Sequence, residues 1–166
     1  RAVRGQALLS ENTLLLLNLP AERRVERQRP ADAALSGADV QTLARQSRPR
    51  FQAALLGWIR GDRPDSSLAV MADVVSALEG ASASDRSYQV WWVAAGVIEA
   101  LRQNGLDANA AIKRLLGQVD FELRRLAEEG ERALESNPPV ALLNSLLFYV
   151  ARSSTRGRRV AAIRQW

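Results

Sequence analysis

Ile112, Leu115, Leu116, Val119, Leu123 and Leu126 recur at steps of three and four residues, with Arg124, Arg125, Glu128 and Glu129 falling outside that series. On a helix of 3.6 residues per turn this spacing gathers the apolar side chains into one stripe and leaves the charged ones on the wet side. A stripe of this kind has to be buried against another element. It therefore predicts a helix over about 108–130, capped by Asp107 and packed into a multi-helix core.

The same period runs through the centre of the chain. Leu43, Ser47, Phe51, Leu55 and Trp58 set a helix over about 38–60, with Pro49 as either a kink or its true start. "RGDRPDSS" is a tight connection offering Asp65 or Ser66 as the N-cap of a second helix, 66–80. That helix buries Leu68, Met71, Val75 and Leu78 and stops at Gly80. After the loop "ASASDRS", a third helix over about 87–103 carries Val90, Val93, Ala94, Val97 and Leu101 and ends at "NGL". "SNPP" opens a last helix, with Asn137 as N-cap and Pro138 in the first turn, burying Val140, Leu143, Leu146, Leu147 and Val150. No stretch alternates convincingly with the two-residue period of a strand. The expected fold is all-α, an antiparallel helical bundle of about five helices with short loops.

Outside the bundle, residues 1–37 read as a connector from a preceding unit that docks through Leu14–Leu17 and Leu19. Residues 38–152 form the bundle, and 153–166 read as a basic linker or a short C-terminal helix. The chain opens on Arg1 without signal-peptide architecture, as expected of a piece of a longer cytoplasmic protein. No unbroken apolar run approaches the roughly 20 residues of a membrane-spanning helix, so no membrane insertion is expected.

Composition then removes whole classes of chemistry. With no cysteine and no histidine, the chain lacks thiolates, imidazole ligands and the usual neutral-pH general base. A Ser-His-Asp triad cannot be assembled, nor can a di-iron site built from Glu-x-x-His pairs. Neither a dinucleotide fingerprint nor a P-loop occurs, and no metal or cofactor is expected. Asp120, Glu122, Glu128, Glu129 and Glu131 read as solvated, salt-bridged helix faces rather than as catalytic carboxylates, which need a dry or charge-perturbed setting.

The formal charge of +5 is unevenly placed. Residues 1–50 hold nine basic and five acidic groups, 51–150 nine and thirteen, and 151–166 five and none. A nucleic-acid reader concentrates basic charge on one element with reading side chains between. Here the charge sits at the two ends, and the tail "RSSTRGRRVAAIRQW" has no reader pattern, so nucleic acid is not the expected partner. Its basic residues follow the last helix instead of lining it, which speaks against a membrane-surface helix. Trp91 and Trp92 are neighbours and point about 100° apart on a helix. At most one can be central in the core; Trp91 and Trp92, with Arg124 and Arg125, are candidate protein-contact residues.

The order "RAVRGQALLSENTLLL", "RFQAALLGWIRGDRPDSSLAVMADVVSALE", "WWVAAGVIEAL", "IKRLLGQVDFELRRLAEEG" and "PPVALLNSLLFYVAR" resembles the N-terminal region of the large chemotaxis-type hybrid histidine kinases of type IV pilus systems, the ChpA/PilL group. It is also similar to the stand-alone pilus-regulatory FimL-type proteins. The resemblance implies a histidine-phosphotransfer-like bundle in which active units carry His-Thr-Leu-Lys-Gly on one helix. Laid on Ser76-Ala77-Leu78-Glu79-Gly80, that motif puts Ser76 in the histidine's place and Glu79 in the lysine's. Serine without a positioned base is a poor phosphoacceptor, and a glutamate beside it repels incoming phosphate.

The resemblance thus implies a non-catalytic scaffold in control of type IV pili and twitching motility. Its expected partners are pilus-regulatory proteins, response regulators or other domains of the same kinase. Two alternatives stand beside it: a phosphotransfer module using Ser76, and a generic bundle that forms a homodimer.

Overall fold

Pro49 opposes a long first helix, since proline inside a helix costs about 3 kcal/mol and leaves the carbonyl of Arg45 without its amide. The computed structural model, which describes residues 37–153 and 158–165, nevertheless carries α1 unbroken from Gly37 to Arg60. Phe51, Ala54, Leu55 and Trp58 follow the proline and are all buried. At about 1.5–3 kcal/mol for each large side chain, their burial outweighs the penalty.

The remaining helices are α2 (Pro64–Ala81), α3 (Asp85–Arg102), α4 (Ala110–Glu129), α5 (Glu131–Ser136), α6 (Val140–Arg152) and α7 (Arg158–Gln165). No strand occurs among the described residues. The expectation of about five helices becomes seven among the described residues. The six residues of α5 are too few to display a period, and α7 lies in 153–166, the segment expected as either a basic linker or a short C-terminal helix. Of the connector expected over 1–37, residues 1–36 with the docking leucines lie outside the described residues, as do 154–157 and Trp166.

α2 packs between α1 and α3, α4 lies along α1, and α6 joins α3 to α4. The α1–α4 pair is antiparallel, as its cross-links require. Gln41 Nε2 and Arg45 Nε donate to Ala127 O at 3.1 and 2.9 Å, while Arg48 and Gln52 reach Asp120 at 3.5 and 3.3 Å. Further along α1, Lys113 Nζ donates to Ile59 O at 3.5 Å, so the partners step backward along α4.

α3 is the central helix, against α2, α5, α6 and α7. Its residues Tyr88 to Ile98 are uncharged, and all except half-buried Trp92 are buried. A helix buried on every side must be apolar all round. Gly96 serves the closure of α7, because a Cβ there would overlap the Ile163 δ-methyl. Val160 and Ile163 are both buried.

The helix ends depart from the expected caps. α1 closes in a Schellman motif: Gly61, at φ 79°, donates to Trp58 O and Asp62 donates to Gly57 O, at 3.1 and 2.8 Å. Left-handed Arg63 then precedes Pro64, whose missing N–H would be free there anyway, so α2 needs neither Asp65 nor Ser66 as cap. Asn104, at φ 58°, closes α3 in the same way. Asn109 rather than Asp107 caps α4, its Oδ1 accepting from Ile112 N at 2.9 Å. Asn137 ends α5 instead of starting α6, whose cap position is Pro139 without a side-chain bond.

Candidate functional site

The C-terminal half of α2 holds the residues the sequence aligned with a phosphoacceptor. Wedged between α1 and α3, this helix buries Val74 as well as Val75 and Leu78. The exposed strip left to it runs through Asp73, Ala77 and Gly80. Ser76 and Glu79 stand half-buried, three residues apart and therefore on one helix edge. Gly80 does not end the helix, correcting the expected stop. α2 continues through Ala81, and extended Ser82 terminates it by donating its N–H to Leu78 O and Glu79 O.

Ser82 does more than end α2. Its hydroxyl donates to Leu78 O at 2.7 Å, which uses its one hydrogen. The 3.1 Å contact between Ser82 Oγ and Ser87 Oγ must then have Ser87 as donor. Trp91 Nε1 in turn donates to Ser87 Oγ at 3.2 Å. The result is a one-way relay, Trp91 to Ser87 to Ser82 to the Leu78 carbonyl, buried along its length. From outside, the Glu131 carboxylate accepts from Ala83 N at 3.1 Å and from Ser84 N at 2.9 Å. Ser84 Oγ accepts from Ser87 N at 3.1 Å and caps α3. A negative group at a helix N-terminus meets both orphan amides and the positive end of the dipole.

Two of the carboxylates expected on solvated faces are thus inside. Glu131 holds the α2–α3 turn, and Glu122 is buried against Arg125 at 2.5 Å. Arg125 itself, expected on the wet side of α4, is half-buried and donates to Ala133 O at 2.7 Å and Asn137 O at 3.0 Å. It ties α4 to the middle and to the C-terminal end of α5. Asp120 is half-buried against α1, whereas Glu128 remains exposed and pairs with exposed Arg124 at 3.0 Å.

Of the four candidate contact residues, Trp91 is fully buried and fixed by the relay. Trp92 is half-buried and stacks on Tyr88, ring centroids 6.3 Å apart. The pair divides as adjacent helical positions must, one inward and one at the boundary. Trp92 and Arg124 reach the surface on different helices; Trp91 and Arg125 are occupied within the fold.

Among the described residues no helix is long and apolar enough to cross a membrane, and no group of three or more acidic residues is placed to hold a metal ion. Residues 36–166 match the family described as FimL scaffold protein second domain. The chain belongs to that family. No curated protein and no solved structure matches it in the same comparisons. The matched region covers every described helix of this FimL-type domain.

Burial pushes the Glu122 carboxyl above its ordinary 4.5, while the charge and hydrogen bond of Arg125 offset part of the rise. The folded domain therefore holds this proton more tightly than the unfolded chain. The stability contributed by the protonated form is fully present below about pH 4.5 and is lost as pH rises through the folded value. Urea midpoints at about pH 4.5 and about pH 7.5 are expected to fall more for wild type than for Glu122→Gln, which cannot ionise. Equal pH dependence of the two proteins would remove Glu122 as the source.

Proposed function

We propose that this domain is a non-catalytic, phosphotransfer-like scaffold of the cytoplasmic chemotaxis-type signalling system that controls type IV pili and twitching motility. It is carried by a FimL-type protein or by the N-terminal region of the kinase itself. Residues 38–152 supply the bundle, which binds pilus-regulatory proteins, response regulators or other domains of the kinase through its helix faces.

The surface of α2 carries this proposal. Where an active unit needs an exposed imidazole, the strip offers Asp73, Ala77 and Gly80. The nearby hydroxyl, Ser76, is half-buried beside Glu79, and the chain holds no histidine to serve as base or acceptor. Phosphoryl transfer to serine needs an activating base, and a carboxylate next to the acceptor disfavours the incoming phosphate.

Incubation of the full chain with the kinase core of its own cell and labelled ATP is expected to leave the chain unlabelled. Stable label on Ser76 that disappears in Ser76→Ala would replace the scaffold by a serine phosphotransfer module. A tight dimer in sedimentation, with no pilus-regulatory partner bound, would favour the generic dimerisation bundle.

A further inference from the structure

Three large apolar side chains are exposed among the described residues: Leu56 at 51%, Ile59 at 37% and Phe121 at 55%. They do not scatter. Leu56 and Ile59 lie on α1 and Phe121 on α4, two helices already paired along one register. Between the bonds that join Gln52 to Asp120 and Ile59 to Lys113, that register sets Leu56 level with Leu116, whose exposed neighbour is Gly117. Phe121 stands one helical turn further along α4. Arg60 on α1, four residues after Leu56, and Arg114 on α4, seven before Phe121, are exposed as well.

Gly117 is the second observation. A glycine inside a helix destabilises it relative to alanine, so it usually answers a local demand. Gly61 and Gly130 have positive φ, and Gly96 makes room for Ile163. Gly80 stands one residue from the end of α2, where the cost is small. Gly117 is mid-helix, exposed and without positive φ, and a Cβ added to it would meet nothing within 4 Å. Nothing inside the described fold requires it. Its missing side chain leaves a floor of bare backbone between Leu56 and Phe121, which suits close approach by another helix.

Charge selects the occupant. Asp120 is engaged by Arg48 and Gln52, and Glu128 by Arg124. Arg60, Lys113 and Arg114 have no carboxylate partner among the described residues, so the rim of the apolar strip is basic. We propose that the outer groove between α1 and α4, floored by Gly117 and edged by Leu56, Ile59 and Phe121, receives an amphipathic helix of a partner protein whose flanks carry Asp and Glu. Apolar anchors fill the groove, and the charged flanks set register and orientation. The proposal rests on the scaffold assignment above and locates its contact on α1 and α4, away from the α2 strip.

Site-specific photocrosslinking in the protein's own cells tests it. Benzoylphenylalanine at position 121 of the full-length protein is expected to attach to another polypeptide. Mass spectrometry should place the attachment in an amphipathic helix rich in acidic residues. Reversal of Arg60 and Arg114 to glutamate should lower the yield by about tenfold. Gly117→Gln should lower it similarly while leaving the thermal midpoint unchanged or higher, which separates a filled groove from a damaged fold.

Adducts to a second copy, to residues 1–36 of the same chain, or to lipid would overturn the proposal, as would no adduct or a yield indifferent to Gly117→Gln. The same crosslinker at exposed Ala77 keeps the two ideas apart. Partner adducts at 77 with none at 121 refute the groove and spare the scaffold; adducts at neither position count against both.

Discussion

Trp91→Ala is expected to lower the unfolding free energy by about 3–5 kcal/mol, the range for removing a fully buried aromatic side chain. Trp91 is fully buried on the central helix α3, so its removal opens a cavity inside the core. The indole also begins the relay through Ser87 and Ser82. Trp91→Phe divides the loss: it keeps most of the packing and removes the Nε1 donor, for about 1 kcal/mol. Urea denaturation at neutral pH measures both. Equal costs for the two variants would contradict a mainly packing role.

Glu131→Ala should be the second large effect, about 2–4 kcal/mol, because two backbone amides lose a charged acceptor at a helix start. Ala83 N and Ser84 N both point at the carboxylate, and Glu131 is itself buried. Glu131→Gln retains one acceptor oxygen and should recover part of the loss. Amide hydrogen exchange gives the local signature, with protection at Ala83 and Ser84 falling in Glu131→Ala before the rest of the fold opens. Unchanged protection there would show that the turn is held by the serine relay alone.

The helix stripes were legible because burial repeats with the turn of the helix. Ile112, Leu116, Val119, Leu123 and Leu126 are all fully buried, as their spacing predicts. On α1, Phe51, Leu55 and Trp58 follow their stripe across the proline, with Leu43 only half-buried. The polar contacts were less legible. Glu131 resembles any charged residue after a glycine, yet its partners lie 47 and 48 residues earlier. Asp107, Asp65 and Asn137 are good caps by residue type, but turn geometry assigned the ends to Asn109, Arg63 and Pro139.

At the aligned phosphoacceptor position the division is similar. The sequence alone established the absence of histidine and the identity of Ser76 and Glu79. The tertiary structure decided that α2 has neighbours on two sides, which leaves Ser76 half-buried and the outward strip to Asp73, Ala77 and Gly80. It also decided that Leu56 and Phe121, 65 positions apart in the chain, share one outer face. Apolar burial depends on area and recurs locally, so a sequence displays it. A hydrogen bond or a shared surface depends on remote segments meeting within a few ångströms, and only the packed chain fixes that.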